Sequence, residues 1–177
     1  MSFARVRALF IIGMLGVLAL VFIGVAVARD TQSGTRADGE CKEGYQLANI
    51  ALREPKDVKI NVFNATNRPG LATTIANDFQ NRKFQVQKTG NAKKGLDEVA
   101  VLRYGPKAVG SMHLLRAYFL DQATPEYDPK RQDDVVDIVI GNDFKQLATT
   151  TEVNQSLVEL GGRPELPPGT CAADEAS

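Results

Sequence analysis

Hydrophobic positions in the middle of the chain recur first at every second residue and then at every third or fourth. In "DVKINVF", the apolar residues Val58, Ile60 and Val62 occupy alternate positions, which predicts a β-strand with one buried face. After the polar turn "NATNRPG", apolar residues follow at helical spacing, which predicts an amphipathic helix of about three turns. The stripe consists of Leu71, Ala72, Ile75, Ala76 and Phe79.

The alternation returns in "KFQVQK" and in "EVAVLRY", a second helix opens at Pro106, and a fourth strand, "DVVDIVIG", ends at Gly141. The predicted order is therefore β-α-β-β-α-β. Because the strands alternate rather than being apolar throughout, we expect an α+β domain in which two helices cover one face of a four-stranded sheet. In the split β-α-β arrangement, the first two strands run one way and the last two run against them.

Two surfaces follow from this arrangement. The sheet face away from the helices would carry the alternate strand positions Lys59, Asn61, Phe63, Gln85, Gln87 and Arg103. Three loops, residues 64–70, 89–97 and 121–133, would meet at one end of the sheet. These loops and their margins predict a locally basic rim, made of Arg68, Lys88, Lys93, Lys94, Lys130 and Arg131.

The N-terminal part has a different pattern. Residues 8–28 form an uninterrupted uncharged run of 21 residues, long enough for a helix that crosses the roughly 30 Å hydrocarbon layer. Arg5 and Arg7 precede it, so the positive-inside rule predicts a cytoplasmic tip at residues 1–7 and an extracytoplasmic remainder. The alternative is a cleaved signal peptide ending near "AVA", although the apolar run is long for one. Either interpretation exports the rest of the chain, and the favoured one predicts a single-pass protein of the cell membrane.

Composition suggests boundaries in the exported part. Residues 29–56 read as a polar stalk with a short helix over residues 45–53, residues 57–148 as the folded domain, and residues 149–177 as a tail. From residue 161 onward the tail is rich in Pro, Gly and small polar residues, so we expect order there only at Cys171. Cys41 and Cys171 are the only cysteines, and in an oxidising compartment they most simply form one disulfide.

Charge and reactive side chains limit the function. The 21 basic and 21 acidic residues balance, so nothing in the overall charge points to nucleic acid. His113 is the only histidine, and it lies beside the apolar stripe of the second helix, where a structural role is expected. No nucleophile and base stand at a useful spacing, and two cysteines with one distant histidine make no metal site. We therefore expect a protein that is not an enzyme, with no catalytic residues, metal or cofactor.

The polar turn after the first strand is the candidate ligand site. It brings together Asn64, Thr66, Asn67 and Arg68, with Phe63 beside them on the open face. The alternative is that these residues only build the corner, with Asn67 capping the helix and Pro69 in its first turn. Sequence alone does not decide between the two.

Several short motifs carry a resemblance in the same order and spacing: "INVFNAT" followed by "GLA", then "GNA", "RYG" and "VVDIVIGNDF". Together, over residues 58–147, they resemble the LytR C-terminal domain, which follows the catalytic domain of LytR-CpsA-Psr cell-wall proteins and also occurs alone. The resemblance implies a role in cell-envelope maintenance and brings no catalytic residues with it.

Two functions remain open. The first is non-catalytic binding of a cell-wall glycan or precursor, held near the membrane by the anchor. The second is an adaptor role, in which the domain recruits other envelope-assembly proteins. A glycan needs polar groups beside an aromatic platform, whereas a protein partner needs a contiguous apolar patch.

Overall fold

The computed structural model of the protein describes residues 13–16, 18 and 41–173. Contacts within the chain divide it into two units, Met1–Asp38 and Gly39–Ser177. Residues 13–16 and 18 are helical, and among the described residues no helix has the length and apolar character needed to cross a membrane. The predicted span, residues 8–28, lies mostly outside the described residues, as do residues 29–40 of the predicted stalk.

The second unit contains seven strands and three α-helices within residues 41–173. The strands are β1 (Gln46–Asn49), β2 (Lys59–Asn64), β3 (Gln85–Asn91), β4 (Ala100–Tyr104), β5 (Ala123–Tyr127), β6 (Val135–Ile140) and β7 (Thr170–Ala173). The helices are α1 (Leu71–Asn81), α2 (Val109–Tyr118) and α3 (Thr150–Leu160). The fold is mixed α+β, as predicted.

Five strands form the central sheet in the order β3-β2-β6-β4-β5. β2 is parallel to both β3 and β6, whereas β4 is antiparallel to β6 and parallel to β5. The sheet thus consists of two β-α-β units, β2-α1-β3 and β4-α2-β5, with β6 between them. The parallel pairing of the first two predicted strands is confirmed. The prediction that the fourth strand runs against them is wrong, because β6 runs with β2.

The predicted sheet has four strands, whereas the observed sheet has five, because β5 is not predicted. β5 lies within the segment predicted to be a loop, and its sequence "ATPEY" carries a proline that would interrupt a central strand. β5 pairs only with β4 and is an edge of the sheet, where Pro125 needs no hydrogen-bond partner on its open side.

The core lies between one face of this sheet and the helices. α1 contributes Ala72, Ile75, Ala76 and Phe79, all buried as the periodicity predicted. α2 covers the same face with its buried side chains Val109, Met112 and Leu115. They belong to one cluster with Ile60, Leu102 and Ile138 of the sheet. Burying a side chain of this size contributes about 1.5–3 kcal/mol, so the two apolar stripes supply much of the driving force for folding.

The ends of the domain differ from the prediction. Residues 46–49 are a strand and not part of a helix, because β1 pairs in parallel with β7 as a separate two-stranded sheet. The tail is therefore ordered as far as Ala173. α3 was also not predicted, although its N-terminus is a capping box in which Thr149 and Glu152 satisfy each other's backbone amides.

The predicted disulfide between Cys41 and Cys171 is confirmed, with the two Cα atoms 5.8 Å apart. It links residues 130 positions apart in the sequence. Cys171 aligns with Leu47 of β1 in the β1–β7 pair, so the covalent link and the strand pairing reinforce each other.

Candidate binding site

Asn64 organises the corner between β2 and α1. Its side chain is buried, with 5% of its surface exposed. Its amide nitrogen donates to the carbonyl oxygen of Arg68 at 2.7 Å, and its amide oxygen accepts from the backbone and the hydroxyl of Thr66 at 2.9 and 2.7 Å. All of these bonds lie within the turn, so the Asn64 side chain acts as an internal brace of the corner.

Arg68 is tied to the backbone as well. One terminal nitrogen of its guanidinium group donates to the Phe144 carbonyl oxygen at 2.8 Å and lies 3.5 Å from that of Gly141. Its backbone amide donates to the Thr66 hydroxyl at 3.0 Å. The Arg68 side chain therefore connects this corner to the segment that follows β6.

Asn67 does not cap α1, which corrects the prediction. The residue before the helix is Gly70, in the left-handed region at a φ of 76°, and it makes no side-chain cap. A left-handed backbone favours glycine, so the sequence "PG" determines how the helix begins. Asn67 itself is exposed.

The corner lies at the end of the sheet where β2, β3 and β6 finish. The backbone amide of Ala92 donates to Asn64, and that of Leu96 donates to Ala65, at 2.8 and 3.2 Å. Asn142 donates in turn to the Leu96 carbonyl at 2.8 Å. These bonds hold the loop of residues 92–98 against the ends of the strands, so two of the three predicted loops do meet.

The third predicted loop, residues 121–133, does not lie at one end of the sheet, because it contains β5. Residues 128–133, which follow β5, lie at the end opposite the corner. Because β6 runs with β2, the loop before β6 faces the C-terminal ends of β4 and β5. Asp128 donates its backbone amide to the Tyr104 carbonyl at 2.9 Å, and Arg131 donates to Asp133 and to the Val135 carbonyl at 2.9 and 3.1 Å. The predicted basic rim is therefore wrong for Lys130 and Arg131, which are not near Lys93 and Lys94.

A groove of about 530 Å³ opens on the sheet face away from the helices. Its apolar lining includes Phe63 of β2, Val101 of β4 and Val139 of β6, with Leu96 from the loop. The polar and small lining residues are Asn91, Ala92, Lys93, Lys94, Gly95 and Arg103. We call this surface the β2–β4 groove, and its volume is in the range typical of ligand-binding clefts.

The open face was only partly predicted. A register irregularity between Ile60 and Asn61 makes Lys88, rather than Gln87, the partner of Asn61 in β3. Gly90 is aligned with Phe63, and because it has no side chain the Phe63 ring is uncovered on the β3 side. Phe63 is the one residue of the predicted ligand set that lines the β2–β4 groove.

Ion pairs occupy the rest of the open face. Lys59 contacts Asp134 at 2.9 Å, and this hydrogen-bonded pair holds the pKa of the Asp134 carboxyl below its usual value. Asp137 accepts from Asn61 at 2.7 Å and from Arg131 at 2.8 Å. These side chains are largely committed to one another, which leaves the groove as the part of this face with apolar surface.

His113 has a structural environment. It is buried, with 2% exposed, and its Nε2 atom lies 2.9 Å from the Gly161 carbonyl oxygen. A carbonyl oxygen only accepts, so Nε2 carries the proton and His113 connects α2 to the end of α3. In the described part of the chain, no group of three His, Cys, Asp or Glu side chains could hold a metal ion.

Comparison with known proteins identifies the fold. Residues 57–144 match the family described as LytR cell envelope-related transcriptional attenuator, known by its LytR C-terminal domain. The chain carries a domain of this family. The sequence resemblance is thereby confirmed. The matched span runs from the turn before β2 to Phe144, whose carbonyl oxygen accepts a hydrogen bond from Arg68.

Two relatives extend the comparison beyond this domain. The cell envelope integrity protein Cei of Mycobacterium tuberculosis is 29% identical over 126 residues, which cover 69% of this chain and 57% of the relative. The chain thus spans somewhat over half the length of that protein. The crystal structure of the soluble domain of a conserved hypothetical secreted protein from Mycobacterium marinum is similar in fold. It has a TM-score of 0.53 and 24% identity, and the match covers 66% of this chain and 82% of that one.

Signals for the missed features were present in the sequence. Asn64 precedes Thr66 by two positions, the spacing at which an Asn side chain bonds the following backbone amide. "TTTE" before an apolar run is a capping-box signature and would have placed the start of α3 at Thr149. The β2–β4 groove had no local signal, because its lining residues come from four strands and a loop.

Proposed function

We propose that this protein is anchored in the cell membrane with its domain outside, and that it supports cell-envelope integrity by non-catalytic binding of a cell-wall glycan or precursor. The family match and the similarity to an envelope integrity protein support the envelope role. The observation that carries the binding role is the β2–β4 groove, which places the ring of Phe63 beside Lys93 and Lys94.

The experiments can use residues 39–177. This unit is separate by its contacts and contains the hydrophobic core and the disulfide. The similar Mycobacterium marinum protein was crystallised as its soluble domain, which supports the same choice here. The unit is mixed with purified cell walls, and the fraction that sediments is measured.

Phe63→Ser is the test variant and Tyr45→Ser the matched control. Phe63 lines the groove, whereas Tyr45 is an exposed aromatic residue just before β1. We expect the first substitution to reduce sedimentation several-fold and the second to leave it unchanged, after correction for the folded fraction. Equal sedimentation of all three proteins would refute binding through the groove, and no sedimentation of the unmodified unit would refute the binding role.

The adaptor function has one observation in its favour. Leu47 and Leu52 lie near each other in sequence at the start of the domain and expose 57% and 52% of their surface. Exposed apolar residues mark a protein-binding surface where they form one contiguous patch, which is what the adaptor function requires of Leu47 and Leu52. Crosslinking of the full-length protein in membranes tests it: adducts that disappear in Leu47→Ser and Leu52→Ser, but persist in Phe63→Ser, would favour the adaptor.

A further inference from the structure

The β2–β4 groove combines an apolar surface and a basic surface, and each suits a different part of a ligand. Its floor is apolar, since Val101 and Val139 expose only 7% and 5% of their surface and pack with Phe63 and Leu96. Its margin is basic, since Lys93 and Lys94 are both exposed and stand next to each other. Among the described residues that line the groove, none is acidic.

Nearby acidic side chains are engaged elsewhere. Arg103, the third cation of the groove, pairs with Glu126 at 2.8 Å, and Asp97 accepts from the Asn142 amide at 2.9 Å. Glu98 is hydrogen-bonded to the Thr124 hydroxyl. Lys93 and Lys94 therefore form an adjacent pair of like charges beside apolar surface, and an anion would relieve their repulsion.

The groove is also held in place before any ligand arrives. The loop that carries both lysines is fixed by the backbone bonds from Ala92 to Asn64 and from Leu96 to Ala65. Gly141 lies against the same loop so closely that a Cβ atom there would overlap the Glu98 carbonyl oxygen. A preformed site loses less conformational freedom on binding, so modest contacts suffice for measurable affinity.

We propose that the β2–β4 groove binds an anionic amphiphile, in which a single apolar chain lies on the floor and a phosphate group meets Lys93 and Lys94. A bare glycan fits less well, because its hydroxyls donate as well as accept hydrogen bonds, and Asn91 is the only side chain in the described lining that can accept one. This inference rests on the proposed function and narrows it to the precursor type of ligand.

The test titrates residues 39–177 with dodecyl phosphate below its micelle concentration, followed by NMR of the backbone amides and by calorimetry. We expect saturable binding with shifts centred on residues 91–96, 101 and 139. Dodecyl maltoside, which has the same chain and no charge, should bind at least tenfold more weakly. Inorganic phosphate alone should not bind at millimolar concentration, which separates a free anion from an amphiphile.

Two variants and a matched control locate the site. The pair Lys93→Glu and Lys94→Glu should weaken binding of dodecyl phosphate at least tenfold. The pair Lys107→Glu and Lys130→Glu changes the net charge equally, away from the groove, and should alter binding less than twofold. If the first pair fails to fold, Lys93→Gln and Lys94→Gln serve in its place.

Gly90→Val tests the apolar half. A Cβ atom at Gly90 would lie 3.6 Å from the Phe63 ring, an ordinary contact, so the new side chain covers the ring without disturbing the core. We expect an unchanged or higher melting temperature and at least fivefold weaker binding of the amphiphile.

The outcomes separate this inference from the function on which it rests. If dodecyl phosphate binds equally well to the lysine double variant, to Gly90→Val and to the unmodified unit, the groove is not its binding site. Absence of dodecyl phosphate binding, with retained sedimentation on cell walls, would overturn the ligand class and leave the proposed function standing. Failure of both assays with the unmodified unit would overturn both.

Discussion

Replacement of Asn64 by alanine removes the brace of the corner between β2 and α1. Three hydrogen bonds disappear, to the Arg68 carbonyl and to the amide and hydroxyl of Thr66. A hydrogen bond contributes about 0.5–1.5 kcal/mol net, which places the sum at about 1.5–4.5 kcal/mol. Thr66 is half-buried and Arg68 exposed, so both can recover bonds with water, and we expect about 2–3 kcal/mol.

The measurement is urea unfolding of residues 39–177, followed by circular dichroism. A loss of this size should also lower the melting temperature by about 8–12 °C for a domain of this length. Asn67→Ala is the control in the same loop. Because Asn67 is exposed and caps nothing, its replacement should change the free energy of unfolding by less than about 0.5 kcal/mol.

Asn64→Asp isolates the two halves of the side chain. The aspartate keeps the oxygen that accepts from Thr66, but its second oxygen faces the Arg68 carbonyl oxygen in place of the donating amide. Because this charge is buried and repelled by the carbonyl, Asn64→Asp should cost at least as much as Asn64→Ala at neutral pH. Equal unfolding midpoints for Asn64→Ala and Asn67→Ala would show that the corner does not depend on Asn64. Destabilisation by Asn67→Ala of 1 kcal/mol or more would instead restore the helix-cap interpretation.

Three further predictions concern stability. Gly141→Ala should destabilise the domain by more than 2 kcal/mol in urea, because its Cβ would overlap a backbone carbonyl oxygen; unchanged stability would refute the close approach. Serine at both Cys41 and Cys171 should cost about 2–5 kcal/mol, and an unchanged urea midpoint would contradict this. The lowered pKa of Asp134, set by Lys59, stabilises the fold above the carboxyl's unfolded pKa, and this contribution is lost as the pH falls through the folded value. The free energy of unfolding of Asp134→Asn should therefore fall less between about pH 5 and pH 3 than that of the unmodified protein. Because the ion pair is exposed, the difference should be under about 1 kcal/mol. An identical pH dependence of the two proteins would contradict this prediction.

Local periodicity was sufficient for α1, α2 and the buried faces of β2 and β6. Each of these elements buries one side in the core, so the spacing of buried residues such as Ile75, Phe79 or Ile138 follows the period of the helix or strand. The same reasoning identified the open face around Phe63. It could not give the strand order, because the position of β6 between β2 and β4 depends on long-range packing that leaves no local trace.

The terminal elements illustrate the same limit. β1 and β7 are four residues each, and they are strands because they pair with each other across most of the sequence. Neither has enough alternation to be recognised alone, and proline and glycine near β7 favoured a disordered tail. The candidate site shows the same limit for side chains. Asn64 was expected to contact a ligand, whereas in the structure it is buried and its side chain bonds to Thr66 and Arg68 of its own turn.

The covalent link between the two ends of the domain has a mechanical consequence. Cys41 and Cys171 close a loop that contains almost the whole fold, and β1 lies alongside β7 in parallel. A force that pulls the two chain ends apart is carried by the sulfur–sulfur bond and does not reach the strands between them. The part of the domain between the two cysteines therefore cannot be unravelled or lengthened by such a force while the disulfide is intact.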